Sequence, residues 1–256
     1  MINKDFHNDG FLKEFSIEIG DTLKKLQERI YFLTKEFLVD HQKDLPIEKK
    51  ISLPFKEIPN KKFWSDIMNN INDSSEFHNL VSSPSIVKSF KKIFNKPLKF
   101  DICTFRARIP NQSRVIYNWH QDEGTWYLSK NKNLQNKYSA TLWFSVNGAN
   151  KLNSIQLIKG SHKNKLLNHK YVEGQGYFSA DGFDVKDCEI YTVNTKISEA
   201  VIFHPLLIHR SVINKHNKPD MYPRYSIDIR YYDENLKLNY NTSLNFKIKK
   251  FLEKWK

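Results

Sequence analysis

Two short stretches of this chain carry side chains able to hold a metal ion in a reactive state. In Tyr117-Asn118-Trp119-His120-Gln121-Asp122, an imidazole and a carboxylate stand two residues apart at the end of a run that reads as a strand. Alternate residues of a strand share a face, so both groups can converge on one ion. A second imidazole comes from His209, at the end of the apolar run Ala200-Val201-Ile202-Phe203-His204-Pro205-Leu206-Leu207-Ile208. Two imidazoles and one carboxylate on one face of an octahedral ion leave three positions open, as a non-haem iron(II) centre needs for a co-substrate and dioxygen. A structural zinc site would close its tetrahedron with a fourth protein ligand, and none of matching placement stands in the sequence. His204 falls on the opposite face of a regular strand from His209 and reads as structural. His162, in the turn Gly160-Ser161-His162, reads as a hydrogen-bonding loop residue.

Such residues must be positioned by regular elements, and the texture of the chain changes near residue 98. Residues 13 to about 95 carry helical signals, with apolar periodicity through 21–38, 63–71 and 86–94. Ser83 followed by Pro84 suits a helix start, because proline at the first helical position lacks only an N–H that would be orphaned there. From residue 99, β-branched and aromatic runs at 100–109, 115–119, 139–146, 154–158, 200–203 and 225–232 alternate with turn signals such as Asn147-Gly148 and Lys159-Gly160-Ser161. This pattern predicts a β-barrel or sandwich carrying the site. At the end, Leu244, Ile248, Phe251, Leu252 and Trp255 recur at helical spacing among lysines, predicting a basic amphipathic helix over 236–256 that docks on the N-terminal helices. The organisation predicted is one domain over 1–256, with a mostly helical part at 1–98 and a β core at 99–235.

Composition narrows the class. With 256 residues and 39% hydrophobic content, the chain can bury one substantial core. No window approaches eighteen consecutive apolar residues, and the first twenty lack the apolar stretch of an export signal. Cys103 and Cys188 are the two cysteines, and they form neither a disulfide framework nor a thiolate zinc site. A reducing, cytoplasmic location fits. The net charge of +13 would attract nucleic acid, anionic lipid or an anionic small molecule. Lysine and asparagine are spread through nearly every segment, as in Lys130-Asn131-Lys132-Asn133, so the charge reads as compositional bias and nucleic acid is not the expected partner.

The text around the histidines resembles the phytanoyl-CoA dioxygenase family over most of the chain. Phe6-His7-Asn8-Asp9-Gly10-Phe11 is similar to the family's opening F-x-x-x-G-F, and the resemblance resumes at Trp119-His120-Gln121-Asp122 with Trp126-Tyr127. Leu142-Trp143-Phe144-Ser145-Val146 and then Asn153-Ser154-Ile155-Gln156-Leu157-Ile158-Lys159-Gly160-Ser161-His162 look like the family's strand and its N-G-x-L-x-V-I-P-G-S-H segment. His209-Arg210-Ser211, Asn214 and the run from Arg224 to Tyr231 resemble its H-x-S-x-x-N and arginine-led strand. The resemblance implies a mainly β chain with a helical N-terminal region: a double-stranded β-helix core, jelly-roll and cupin-like, flanked by α-helices. It implies Fe(II) held by His120, Asp122 and His209, with 2-oxoglutarate and O2 as co-substrates. The far carboxylate of 2-oxoglutarate then falls to Arg224, with Ser211 as a hydroxyl contact and Gln121 and Trp143 lining the co-substrate pocket. The implied activity is hydroxylation of a C–H bond in a small or medium-sized polar metabolite.

Departures leave alternatives open. Ser154 and Lys159 replace the family's usual Gly and Pro, and residues 215–223 look like a loop insertion between His209 and Arg224. Arg230 is therefore a rival for the carboxylate, since residues 224, 226, 228 and 230 share one strand face. The spacing of Arg224 and Arg230 also occurs in nucleic-acid oxygenases of the AlkB type, and a non-catalytic β-helix binding protein is a further alternative. Arg106 and Arg108 precede the metal segment and can point one side chain into a pocket. The segments 123–138 and 166–187, with Trp126, Tyr127, Tyr171, Tyr177 and Phe178, read as a lid that selects the substrate.

Overall fold

The computed structural model describes residues 4–39, 44–57, 59–94, 98–109, 117–128, 138–164, 166–173, 177–212 and 222–233. The helix expected over 236–256, nearly all of the insertion at 215–223, Asn214 and the side chains of Trp126 and Tyr127 lie outside the description.

The N-terminal part is helical with one exception. After α1 (Lys4–Asp9), the chain forms strand β1 (Phe11–Ser16) within the part expected to be mostly helical, and then α2 (Gly20–Thr34), α3 (Ile47–Lys50), α4 (Lys61–Asn72), α5 (Ser75–Val81) and α6 (Pro84–Phe94). Strand β1 carries Phe11, Leu12 and Phe15 and pairs antiparallel with a later strand of the main sheet. Helix α4 starts where the Asn60 side chain accepts the Phe63 N–H at 3.0 Å. Pro84 opens α6 as expected, but the buried hydroxyl of Ser83 makes no hydrogen bond among the described residues.

The later elements are β2 (Leu98–Arg108), α7 (Asp122–Leu128), β3 (Tyr138–Ser145), β4 (Ile155–Ile158), β5 (Asn168–Val172), β6 (Tyr177–Asp181), β7 (Ile190–Thr192), β8 (Glu199–Phe203), β9 (His209–Ser211) and β10 (Arg224–Asp233). A five-stranded sheet runs β1-β8-β3-β10-β2, a three-stranded sheet runs β7-β4-β9, and β5 pairs with β6 as a hairpin. The segment 166–187, expected to be a loop, thus contains that hairpin. All neighbours in both sheets are antiparallel. The chain is a mixed α/β fold with a sheet core and flanking helices. No helix among the described residues is long and apolar enough to cross a membrane.

Strand alternation divides the large sheet between two jobs. Tyr225, Ile227, Ile229 and Tyr231 of β10 join the core formed with Leu26 and Ile30 of α2, Trp64 and Ile67 of α4, and Ile86 and Phe90 of α6. The intervening Arg224, Ser226, Asp228 and Arg230 therefore face the other way. On that second face, Phe11, Trp143, Val201 and Phe203 pack against Ile155 and Leu157 of the smaller sheet. Two side-chain amides weld the helical layer to the sheet: Gln27 donates to the Val146 carbonyl at 2.7 Å, and Asn72 accepts the Phe105 N–H at 2.8 Å.

Gly10 joins three of the sequence motifs at one point. Its φ is +85°, and a Cβ there would overlap the His162 ring and the Leu207 side chain. Its carbonyl accepts the His204 N–H at 2.8 Å, tying β1 to the turn that leads to His209. An L-residue in the left-handed region costs roughly 1–2 kcal/mol before any overlap is counted. Gly10→Ala should therefore lower the melting temperature by about 4 °C or more. An unchanged melting curve would show that this junction is slack.

Candidate metal centre

The site begins with a backbone pair. His120 donates its N–H to the His209 carbonyl at 2.9 Å, and His209 donates to the His120 carbonyl at the same distance, an isolated antiparallel bridge. Trp119 and His120 do not form the regular strand expected, and Asp122 is the first residue of α7. The carboxylate thus reaches the imidazoles through a strand-to-helix turn and not through period-two alternation. Nor does one strand deliver His209: β8 ends at Phe203 in the large sheet, the chain turns through 204–208, and β9 begins in the small one. His204 lies in that turn, near the rings of Phe6 and His162 and away from the cluster of His120, Asp122 and His209.

Both imidazoles are oriented the same way. His120 Nδ1 lies 2.7 Å from the Asn118 carbonyl, and His209 Nδ1 lies 2.9 Å from the Leu207 carbonyl. A carbonyl only accepts, so each ring carries its proton on Nδ1 and leaves the Nε2 lone pair free. The ring centroids are 4.1 Å apart, and His209 Nε2 is 3.8 Å from Asp122 Oδ1. One ligand atom from each of His120, Asp122 and His209 lies within 4.8 Å of the others. This donor set, two neutral nitrogens and one carboxylate oxygen, fits a divalent first-row ion.

Electrostatics hold the three groups in ligand form. Burial and the nearby His209 lower the His120 pKa to about 3, against the opposing pull of Asp122. Burial also lowers that of His209. For Asp122 burial opposes ionisation, but Arg230, His209 and His120 outweigh it and keep the carboxyl well below the usual carboxylate range. Arg230 Nη2 donates to Asp122 Oδ1 at 2.9 Å, and Thr141 Oγ1 donates to Oδ2 at 2.6 Å.

The remaining expected residues fall around this centre in distinct ways. Arg224 is buried on the site face of β10, its Nη1 donates to Ser226 Oγ at 2.6 Å, and its Nε has no partner among the described residues. Its Cζ lies 5.3 Å from the centre of the buried Trp143 ring. Burial, with Arg108 adding repulsion, lowers its pKa to about 9, only partly offset by Asp228. Arg230, its rival, is already engaged by Asp122. Ser211 is buried and its hydroxyl accepts the Tyr117 N–H at 3.2 Å. Gln121 has both ends of its amide bonded to backbone: Nε2 donates to the Leu206 carbonyl at 2.8 Å, and Oε1 accepts the Leu167 N–H at 2.8 Å.

Sequence reasoning did not single out Thr141, Asp228, His169 or Gly124. Thr141 and Asp228 stand on strand faces that period two could have assigned. His169 offered no such signal. It lies buried on β5, its Nδ1 against the Leu167 carbonyl at 2.9 Å, and its Nε2 accepts the Gln121 N–H at 3.0 Å, between the two ligands of the metal segment. Its ring fills the space where a Cβ on Gly124 would sit. Loss of a group that orients metal ligands typically weakens metal binding by roughly 10–100-fold. His169→Phe, which keeps the ring and removes the acceptor, should weaken cobalt(II) binding to that extent, and His169→Gln should recover part of it. Wild-type affinity in a folded His169→Phe protein would rule out the brace.

Residues 6–219 match the family described as phytanoyl-CoA dioxygenase (PhyH). No curated protein sequence matches the chain significantly. Among solved structures, the apo form of the non-heme monooxygenase ThoJ is similar at TM-score 0.58 and 15% identity, over 90% of this chain and 76% of that one. Apo EctD from S. alaskensis gives 0.56 and 14%, over 89% and 74%. EvdO2 from Micromonospora carbonacea var. aurantiaca, complexed with 2-oxoglutarate, gives 0.52 and 14%, over 91% and 92%. At these identities the structural likeness concerns the fold. The family match spans most of the sequence, and the chain belongs to the phytanoyl-CoA dioxygenase family.

Proposed function

We propose that this protein is an iron(II)- and 2-oxoglutarate-dependent oxygenase, built as one domain on a double-stranded β-helix, that hydroxylates a C–H bond of a small or medium-sized polar molecule. The observation that carries the reading is the donor set: two imidazoles with Nδ1 tied to carbonyls, and one carboxylate, all ligand atoms within 4.8 Å. His120, Asp122 and His209 hold the iron. Iron(II) bound there supplies dioxygen activation coupled to oxidative decarboxylation of 2-oxoglutarate, chemistry that belongs to the metal and not to side chains.

The protein's part is orientation. Arg224 is a buried guanidinium with an unpartnered Nε and no carboxylate within ion-pair distance among the described residues, and it receives the far carboxylate of 2-oxoglutarate. Trp143 forms the floor beneath it, and Ser211, accepting from Tyr117, keeps its own hydroxyl proton to donate. Gln121 positions the metal segment by bracing it to the Leu206 turn and to the start of the hairpin. Arg230 serves Asp122 and leaves the co-substrate to Arg224.

Anaerobic titration with iron(II) and 2-oxoglutarate should produce the weak visible charge-transfer band of the chelate. His209→Ala should abolish it. Arg224→Met removes a charge-assisted hydrogen-bond donor worth about 1.5–3 kcal/mol, and should raise the 2-oxoglutarate Kd roughly 10–100-fold. Folded wild-type protein that gives no band would refute the oxygenase reading, and an unchanged Kd in Arg224→Met would refute the arginine assignment.

A further inference from the structure

Arg106 is a partly open guanidinium of the site for which metal and co-substrate leave no task. It stands on β2 opposite Ser226 of β10, on the face that carries Arg224, Asp228 and Arg230. Its Nε is ion-paired with Asp228 Oδ2, and its Nη1 donates to the Tyr117 hydroxyl at 2.7 Å. The guanidinium also lies over the Tyr117 ring, with Cζ 5.0 Å from the centroid. These contacts fix its plane. They leave Nη2 with no hydrogen bond among the described residues, and 35% of the side-chain surface open, against 9% for both Asp228 and Arg230.

The Tyr117 ring on which Arg106 lies stands beside the metal ligands. The Tyr117 ring is 5.9 Å from that of His120 and 5.1 Å from that of Tyr177, so Arg106 heads an aromatic wall that leads to the metal ligands. Charge balance points the same way. Iron(II) and the 2-oxoglutarate dianion cancel one another, which leaves Arg106, Arg108, Arg224 and Arg230 on this face against Asp122 and Asp228, a net positive excess. A neutral substrate would leave that excess unmatched, and an anionic substrate would reduce it.

We propose that Arg106 is a specificity-determining residue that binds the carboxylate of the primary substrate, and that this substrate is a small organic acid whose remainder lies along Tyr117 and Tyr177. Arg224 and Arg106 then divide two acids between them, the co-substrate's in the buried end of the site and the substrate's at its open end. The inference rests on the oxygenase reading above.

The test uses the full chain with iron(II) and saturating 2-oxoglutarate, without oxygen, and follows the charge-transfer band during titration with acetate, butyrate and phenylacetate, each against its amide. At least one acid should perturb the band with a Kd about tenfold or more below that of its amide. Arg106→Gln should abolish the preference and Arg106→Lys should keep part of it. The pair Arg106→Gln with Asp228→Asn, which removes both members of the ion pair, should abolish it without leaving Asp228 unmatched. Equal response to every acid and its amide, a preference that survives in both glutamine variants, or a tenfold loss of 2-oxoglutarate affinity with the preference intact would each overturn the proposal. In those cases the band itself still forms and the oxygenase reading stands; if wild type gives no band, both fall together.

Discussion

The site depends on one reciprocal pair of backbone hydrogen bonds, between His120 and His209. Each N–H donates to the other's carbonyl at 2.9 Å, the close-spaced pairing of antiparallel strands, so two side chains from distant parts of the sequence must emerge on the same side. Each imidazole then donates Nδ1–H to the carbonyl two residues before it, Asn118 in one case and Leu207 in the other. His169 repeats the arrangement with Leu167, and its Nε2 accepts a backbone N–H. The same local geometry thus fixes three tautomers, two offering a lone pair to a metal and one to an amide.

Asp122 sits where these constraints meet. An isolated buried carboxylate would be protonated or expelled, since desolvation of a charge costs several kcal/mol. Arg230 and Thr141 prevent this by occupying one oxygen each, and the two imidazoles add favourable charge–dipole contact. Both helpers come from the large sheet, where Thr141 and Arg230 are direct cross-strand partners on β3 and β10. The ligand from the turn is therefore held by the sheet, and the ligands from the bridge are held by each other. The helical layer enters indirectly: it buries the opposite face of β10 and so sets the height of the face on which Arg230 stands.

What was readable in the sequence follows the range of the interactions concerned. Strand runs with strong alternation, such as β10 and β3, and helices with a clear apolar stripe, such as α4, were placed within a residue or two. Strand β1 was hidden because its six residues form an edge strand whose pairing partner, β8, lies far downstream, and no local pattern distinguishes it from helical flanks. His120, Asp122 and His209 were legible as a motif, but the geometry that unites them was not, since a one-residue bridge and a strand-to-helix turn have no periodic signature. His169 was invisible for the same reason. Its importance comes from a nitrogen aimed at the Gln121 amide and a ring that occupies the place of a missing side chain at Gly124.

Arg224 and Arg230 show where period two stops and chemistry takes over. Both stand on one face of β10, and alternation alone cannot rank them. Their cross-strand neighbours can. Arg230 lies opposite Thr141, within reach of Asp122, and the low dielectric makes that ion pair binding on both partners. Arg224 lies opposite Arg108, which repels it, and leans along the strand toward Ser226 and the Trp143 ring. Because Trp143 is the cross-strand partner of Asp228, the lean carries the Arg224 charge toward the metal end of the strand. From Asp228 to Arg230 is two residues, roughly 7 Å at strand rise, the scale of a five-carbon diacid. On the proposed reading, the guanidinium nearer the metal in sequence register is neutralised by a ligand, and the one held back by its own neighbours is left to meet the far end of the co-substrate.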